Sequence, residues 1–268
     1  MENLKFTVVG KDVSQSSSPA MHTFIAKKFG KNIVYENISV PPEEFKDRAE
    51  YFFKNYTAFN VTIPFKLDVI PFLSSLEGDA ATFGAVNTVI SSTRKGYNTD
   101  GLGFMLMLRN NGVEAAGKTV LLLGAGGAGR SAAKKLKDCG AEVFVYDKNP
   151  ASSAAVAEEF GVTALAETED KPYDIIINAT GIGMHKTVGM SPVGKGLISL
   201  CNTAVDLIYV PPKSAFLEIA EACGKKIVNG VSMLFYQAYY AECIYFDRRP
   251  QDEEAKELFN EYSKGVRA

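Results

Sequence analysis

Short runs of apolar, β-branched and aromatic residues alternate with helix-length segments along almost the whole chain. In the first part of the chain these runs are Phe6–Gly10, Ile33–Val40, Ala58–Ile63 and Ala85–Ser91. A second series comprises Thr119–Leu123, Glu142–Tyr146, Asp174–Ile177, Ala204–Leu207 and Lys226–Val228. Strands that alternate with helices usually pair in parallel, and the helices cover the faces of the sheet. The alternation therefore predicts an α/β fold with mainly parallel sheets.

The two series meet near Asp100-Gly101-Leu102-Gly103, where a helix leads from the first into the second. A chain of 268 residues is long enough for two domains that each bury a core. We predict one α/β domain over residues 1–100 and another over residues 101–230. Residues 231–268 are helical in pattern and have no strand partners left in the second series. We therefore expect these helices to pack back on the first domain.

Charge and cysteine usage narrow the classes of partner and compartment. The formal net charge is −2, with no long run of one sign, so neither nucleic acid nor a membrane is expected as a partner. The N-terminus lacks the pattern of a signal peptide. The four cysteines form no C-x-x-C pair and only two histidines are present, which argues against disulfides and metal sites. We predict a cytoplasmic protein without a bound metal.

A glycine-rich turn separates the strand at Thr119–Leu123 from the helix that follows. It reads Gly124-Ala125-Gly126-Gly127-Ala128-Gly129, a G-x-G-x-x-G pattern. In this pattern Gly124 allows the tight turn, Gly126 lets backbone approach a pyrophosphate, and Gly129 lets the helix lie close to the strand. The N–H groups at the start of the helix can bind phosphates. We predict a Rossmann-type dinucleotide site, with a turn that binds nothing as the alternative.

Asp147 ends the next strand, 23 residues after Gly124, where such sites place an acidic residue. A carboxylate there can accept both ribose hydroxyls of NAD, whereas the 2′-phosphate of NADP prefers a cation. Lys148 follows immediately and could supply that cation. From these residues alone NAD and NADP both stay open, as does a solvated role for Asp147.

Polar residues also cluster after several strands of the first domain. They fall in Ser16-Ser17-Ser18-Pro19, Asn60–Lys66, Asn87-Thr88 and Asn98–Gly101. In open parallel sheets, ligands bind beyond the carboxyl ends of the strands. Each residue has a local alternative: Ser18 and Asp100 could cap helices, Asn60 and Asn87 could form turns, and Lys66 could be solvated.

Together the motifs of the chain resemble the shikimate dehydrogenase family. They are Ser16-x-Ser18-Pro19, Asn60–Lys66 (N-V-T-x-P-F-K), Gly84–Thr88 (G-A-V-N-T), Asn98–Gly101 (N-T-D-G), Gly124–Arg130, Asn178–Met184, Asp206–Tyr209 and Gly230–Ala238. These motifs occur in the family's order and extend from about Gly10 to Ala238.

The resemblance implies reversible reduction of 3-dehydroshikimate to shikimate with NADP or NAD, a step of aromatic amino acid (chorismate) biosynthesis. Residues 1–100 are then the substrate-binding domain, and Lys66 and Asp100 match the family's catalytic pair. Positions that bind the substrate match Ser16, Ser18, Thr62, Asn87, Tyr209 and Gln237. Cofactor contacts fall at Gly124, Gly126, Gly127, Ala128, Gly129, Asp147, Lys148, Thr180 and Gly230. We expect a monomer or a homodimer that binds this small-molecule substrate.

Elementary chemistry supports these roles. Hydride addition to a ketone builds negative charge on oxygen, and an ammonium group such as that of Lys66 can protonate it. A neighbouring carboxylate such as Asp100 would orient that ammonium group. Gln237 shares a helix face with apolar residues, so its amide is expected to have a polar partner.

Two departures from the family pattern matter. Many relatives have Asn-Arg-Thr where this chain has Asp147-Lys148-Asn149, and an acidic residue there resembles NAD-using quinate/shikimate dehydrogenases. Relatives commonly have Ala or Ser at the position of Gly129, and we expect the glycine of this chain not to disturb the fold. An NAD-dependent quinate/shikimate dehydrogenase is one alternative function. A non-catalytic regulator that senses a shikimate-like ligand is another, although it would not need Lys66 and Asp100.

Overall fold

A computed structural model describes residues 4–267. The chain divides into a first unit, which runs up to Gly103 and resumes at Phe235, and a second unit from Phe104 to Leu234. The C-terminal helices belong to the first unit, as their lack of strand partners in the second series predicted. No helix within residues 4–267 is long and apolar enough to cross a membrane.

The strands are β1 (Leu4–Gly10), β2 (Ile33–Ser39), β3 (Ala58–Val61), β4 (Ser75–Leu76), β5 (Thr88–Ile90), β6 (Lys95–Tyr97), β7 (Thr119–Leu123), β8 (Glu142–Tyr146), β9 (Thr163–Leu165), β10 (Tyr173–Asn178), β11 (Cys201–Asp206) and β12 (Lys226–Val228). The α-helices are α1 (Ser18–Lys28), α2 (Phe45–Asn55), α3 (Asp79–Phe83), α4 (Asp100–Asn110), α5 (Gly127–Asp138), α6 (Pro150–Phe160), α7 (Lys195–Ile198), α8 (Ala215–Ala222), α9 (Val231–Tyr245) and α10 (Asp252–Arg267).

The sheet of the first unit is mixed, with the order β2-β1-β3-β5-β6-β4. Strand β1 pairs in parallel with β2 and β3, whereas β5 runs antiparallel to both β3 and β6. A short connection between β5 and β6 produces an antiparallel hairpin instead of a crossover. As a result, the segments that follow β1, β3 and β6 and the segment that precedes β5 share one edge of the sheet.

The sheet of the second unit has the order β12-β11-β10-β7-β8-β9, and all its pairings are parallel. The order of strands reverses between β7 and β10, which is the doubly wound arrangement of dinucleotide-binding domains. Residues Val120 to Leu123 of β7 are fully buried because helices cover both faces of the sheet. The predicted α/β fold with a Rossmann-type second domain is confirmed.

An aromatic core fixes helix α2 against the sheet of the first unit. Phe45, Phe52, Phe59 and Phe65 are each no more than 1% exposed. The rings of Phe45 and Phe65 stack with their centroids 4.2 Å apart. Phe65 follows β3, so this stacking holds the turn that carries the next residue, Lys66.

Candidate active site

Lys66 and Asp100 form an ion pair at the shared edge of the first sheet. Lys66 follows β3 and Asp100 begins α4, directly after β6. The Nζ atom of Lys66 lies 2.5 Å from Oδ2 of Asp100. The side chains are 22% and 13% exposed, so the alternative of a solvated surface lysine is wrong. The ammonium group is oriented by a carboxylate while part of it stays accessible.

Asn87 holds the second oxygen of Asp100. Its Nδ2 atom donates to Oδ1 of Asp100 at 2.9 Å, and its Oδ1 atom accepts from the Thr99 N–H at 3.0 Å. Asn87 precedes β5, and the antiparallel pairing places Thr88 opposite Asn60 of β3. Asn87 is 4% exposed, and its side chain bonds to residues distant in sequence. The expectation of a local turn residue is therefore wrong.

Ser16 and Ser18 place two hydroxyl groups side by side after β1. Their Oγ atoms lie 3.0 Å apart, and the Ser18 N–H donates to Oγ of Ser16 at 3.2 Å. Helix α1 begins at Ser18, and its N-cap residue is Ser17, so the alternative that Ser18 caps the helix is wrong. Both serines are partly exposed, and their hydroxyl groups can reach a ligand.

Thr62 and Gln237 lie in the same unit. The Thr62 N–H donates to the Val9 carbonyl at 2.9 Å, which ties the residue after β3 to β1. On helix α9, Oε1 of Gln237 accepts from the Thr99 hydroxyl at 3.4 Å. The expected polar partner of Gln237 is thus Thr99, whose N–H also binds Asn87.

Tyr209 belongs to the second unit, where it follows β11 and is 37% exposed. Gly230 lies in the same unit, directly before α9. A Cβ atom on Gly230 would lie 2.2 Å from the Leu207 carbonyl oxygen, so close backbone approach requires glycine there.

The glycine-rich turn leaves open space where a dinucleotide would approach. Gly124 has a φ of 102°, which favours glycine, and its N–H donates to the Tyr146 carbonyl at 2.7 Å. A Cβ atom on Gly126 or on Gly127 would meet nothing within 4 Å. The backbone is therefore accessible at the start of α5, as pyrophosphate binding requires.

Gly129 allows helix α5 to pack close to the glycine-rich turn. A Cβ atom there would lie 2.0 Å from the Gly124 carbonyl oxygen and 2.9 Å from its carbon. Helix α5 therefore lies so close to the turn that a side chain at this position would clash with the backbone, and glycine avoids the clash.

A cavity of about 430 Å³ lies beside the turn. Its lining includes Gly124, Gly126, Asp147, Lys148, Thr180 and Ile182. The Asp147 carboxylate is fixed by two backbone groups, because Oδ2 accepts from the Ala125 N–H at 2.7 Å and Oδ1 from the Asn149 N–H at 2.9 Å. A cavity of this size and lining fits part of a dinucleotide.

Two buried polar residues that support Thr180 were not singled out from the sequence. Asn178 accepts from the Thr180 N–H at 3.0 Å and its hydroxyl at 2.6 Å, and donates to Asp206 at 3.1 Å. Asp206 also accepts from the Ile208 N–H and the Ser214 hydroxyl. Burial raises the pKa of Asp206, and these three hydrogen bonds partly offset the increase. Asn178 and Asp206 each begin one of the family motifs, and only this position in a motif could have indicated a role from the sequence.

Within residues 4–267, no cluster of three or more histidine, cysteine, aspartate or glutamate side chains has the arrangement of a metal site.

Comparisons with known proteins agree with this geometry. Residues 8–89 match the family model of the shikimate dehydrogenase substrate binding domain. Residues 90–180 match the NAD binding domain model of D-isomer specific 2-hydroxyacid dehydrogenases. The shikimate dehydrogenase (NADP(+)) of Caldicellulosiruptor saccharolyticus is 38% identical over 258 residues, which cover 91% of this chain and 92% of that protein.

Solved structures show the same similarity. Shikimate 5-dehydrogenase from Thermus thermophilus, in complex with NADP(H) and shikimate, superposes with a TM-score of 0.87 at 33% identity, covering 97% of this chain and 99% of that one. Shikimate 5-dehydrogenase from Listeria monocytogenes, in complex with shikimate and NAD, superposes with a TM-score of 0.82 at 27% identity, covering 96% of each chain. With a matching family model and a relative that is similar over nine tenths of its length, this chain belongs to the shikimate dehydrogenase family.

Proposed function

We propose that this chain catalyses the reversible, nicotinamide-dependent reduction of 3-dehydroshikimate to shikimate. The observation that carries the proposal is the contact of 2.5 Å between Lys66 and Asp100, at the sheet edge where substrate-binding residues are expected. The Caldicellulosiruptor saccharolyticus relative has this activity in its name. An intact ion pair argues against the alternative of a non-catalytic sensor, which would not need it.

The chain's own residues manage the proton. A reduced nicotinamide supplies the hydride to the carbonyl carbon when it is bound. As negative charge develops on the carbonyl oxygen, Nζ of Lys66 donates a proton to it. Asp100 orients the ammonium group through Oδ2, while Asn87 holds Oδ1. In the oxidation of shikimate, Lys66 accepts the hydroxyl proton.

The substrate is held by neutral donors and acceptors. The Ser16 and Ser18 hydroxyl groups donate to the substrate carboxylate, which requires no additional charge. The resemblance assigns the ring hydroxyl groups of the substrate to Thr62, Asn87 and Gln237.

For the cofactor, we propose that Asp147 favours NAD over NADP. Two backbone N–H groups fix its carboxylate in the wall of the cavity, where it can accept ribose hydroxyl groups. The 2′-phosphate of NADP would place a second negative charge beside that carboxylate, and the two charges would repel each other. Lys148 is exposed and attracts the phosphate, so the two side chains act in opposite directions. Relatives are named for NADP(+), whereas the Listeria monocytogenes structure contains NAD.

The test is a steady-state assay of nicotinamide absorbance that crosses NAD and NADP with shikimate and quinate. We expect turnover of shikimate. Absence of turnover with shikimate in both cofactors would overturn the proposal. Faster turnover of quinate would select the quinate/shikimate alternative, and binding of shikimate without turnover would select the sensor.

Location and assembly also belong to the proposal. All four cysteines are free thiols, which fits a reducing cytoplasm. A monomer or a homodimer stays a prediction, to be checked by light scattering.

A further inference from the structure

Asn60 uses all of its hydrogen-bonding capacity inside the first unit. It lies on β3 and is 6% exposed. Its Oδ1 atom accepts from the hydroxyl groups of Tyr35 at 2.7 Å and Tyr245 at 2.9 Å. Its Nδ2 atom donates to the Asn87 carbonyl at 2.9 Å and to the Thr88 hydroxyl at 3.1 Å. An asparagine amide has two acceptor sites and two donor hydrogens, so none is left for a ligand.

Backbone groups fix the direction of these bonds. The Asn87 carbonyl can only accept, so the NH₂ end of Asn60 must face it. Thr88 accepts from the same NH₂ group and donates its own hydrogen to Oδ1 of Asn87 at 2.8 Å. The Thr99 N–H can only donate, so Oδ1 of Asn87 must face it and Nδ2 must face Asp100.

These hydrogen bonds form one directed series that ends at the carboxylate of Asp100. Two tyrosine hydroxyl groups donate to Asn60, Asn60 donates to Thr88, Thr88 to Asn87, and Asn87 to Asp100. Apart from Tyr245, which is partly exposed, each of these residues is buried. In such an environment each hydrogen bond polarises the next, and the series favours a single arrangement of its side chains.

We propose that Asn60 is a positioning residue for the Lys66–Asp100 pair. Its amide holds Thr88, and through Thr88 it holds the side chain of Asn87 in the orientation that donates to Oδ1 of Asp100. Asp100 then keeps Oδ2 directed at Lys66. Asn60 does not touch the substrate, and its effect on the reaction passes through the carboxylate. This inference rests on the proposed function, because the reaction it supports is the one proposed above.

The test interrupts this series of hydrogen bonds at Thr88, whose side chain is fully buried. Thr88→Val removes the hydroxyl group at nearly constant volume, and Thr88→Ser keeps the hydroxyl group while removing the methyl group. We expect Thr88→Val to lower kcat for shikimate oxidation about three- to tenfold, the effect of losing one buried hydrogen bond. The KM for the dinucleotide should not change. Thr88→Ser should recover most of the lost kcat, which a packing role of the threonine methyl group would not allow.

Asn60→Ala should lower kcat at least as much as Thr88→Val, and the double variant should be no slower than Asn60→Ala alone. Tyr56→Phe is a matched control, because the Tyr56 hydroxyl group donates to Glu36, which takes no part in this series of hydrogen bonds. This variant should leave kcat unchanged. Circular dichroism of each variant separates unfolding from lost positioning. Unchanged kcat in Thr88→Val, or an equal loss in Thr88→Ser, would overturn the proposal.

A crystal structure of Thr88→Val provides a readout that is independent of activity. We expect Nδ2 of Asn87 to move out of hydrogen-bonding distance of Asp100. An Asn87 side chain that keeps its bond of 2.9 Å would refute the positioning role, even if the wild type turned over shikimate. Conversely, a wild type that is inactive with shikimate would refute only the proposed function.

Discussion

Lys66 and Asp100 are 34 residues apart in sequence, yet Nζ of one lies 2.5 Å from Oδ2 of the other. The mixed topology of the first sheet explains the contact, because β3 and β6 run in the same direction and end at the same edge. In the proposed reaction Lys66 is the proton donor and Asp100 orients it, and both side chains stay partly accessible.

Removing either member of this pair should abolish most of the activity. We expect Lys66→Met and Asp100→Asn each to lower kcat by about 10²- to 10⁴-fold, the usual contribution of a positioned acid–base group. Lys46→Met, at an exposed site on α2, serves as the control and should retain kcat. Stopped-flow and steady-state rates with shikimate provide the measurement. A loss of less than tenfold in Lys66→Met would assign the proton to another group.

Asp147 and Lys148 should shift cofactor preference in opposite directions. Asp147→Asn removes a negative charge and keeps one carbonyl oxygen to accept from the Ala125 N–H. We expect it to raise the ratio of kcat/KM for NADP to that for NAD by about tenfold, because like charges in proximity cost about 1 kcal/mol or more. Lys148→Met should lower the same ratio. If both variants kept the wild-type ratio, ribose recognition would lie elsewhere.

The sequence predicted the bounds of some strands of the second unit and missed those of others. The bounds of β7, β8 and β12 agree with the predicted runs, whereas β10 extends one residue beyond its run at each end and β11 begins three residues earlier than predicted. Strand β7 reads as a continuous apolar segment because all its residues but the first are buried. The strands β4 (Ser75–Leu76), β6 (Lys95–Tyr97) and β9 (Thr163–Leu165) were not predicted. They contain only two or three residues, including lysine and glycine, and only their pairing with neighbouring strands defines them.

At the site, motifs identified residues but not their contacts. Lys66, Asp100 and Asn87 were singled out from the sequence, and the structure brings them together. The hydrogen bonds of Asn60 could not be predicted, since the Tyr245 hydroxyl that binds it comes from 185 residues away. Local spacing carries no information about such a contact.

Gly129 and Gly127 form a matched pair for testing the packing of α5. Gly129→Ala would place a methyl group 2.0 Å from a carbonyl oxygen, whereas Gly127→Ala would place it in open space. We expect Gly129→Ala to lower the free energy of unfolding by about 1–3 kcal/mol, the usual cost of overpacking. Gly127→Ala should leave it unchanged or raise it slightly, because alanine is a better helix former. Urea unfolding monitored by circular dichroism would decide, and equal stability of the two variants would contradict the predicted clash.

The buried carboxyl group of Glu242 should make stability depend on pH. Glu242 is fully buried, its Oε1 atom lies 2.6 Å from Nδ1 of His22, and its Oε2 atom has no hydrogen-bond partner within residues 4–267. Burial raises the pKa of Glu242, and the contact with His22 offsets only part of the increase. The folded state therefore binds this proton more tightly than the unfolded state does. The contribution of Glu242 to the free energy of unfolding is therefore fully present below its unfolded-state pKa of about 4.3. This contribution is lost as the pH rises through the folded-state pKa.

Glu242→Gln removes this titration and keeps an oxygen that can accept from His22. Relative to the wild type, its free energy of unfolding should therefore increase as the pH rises above the unfolded-state pKa of about 4.3. Urea unfolding at several pH values measures the difference. Glu253→Gln is the control, because that side chain is 83% exposed and its removal should shift stability equally at every pH above the unfolded-state pKa. Parallel pH profiles for Glu242→Gln and the wild type would mean that the carboxyl group titrates alike in the folded and unfolded states, which its complete burial argues against.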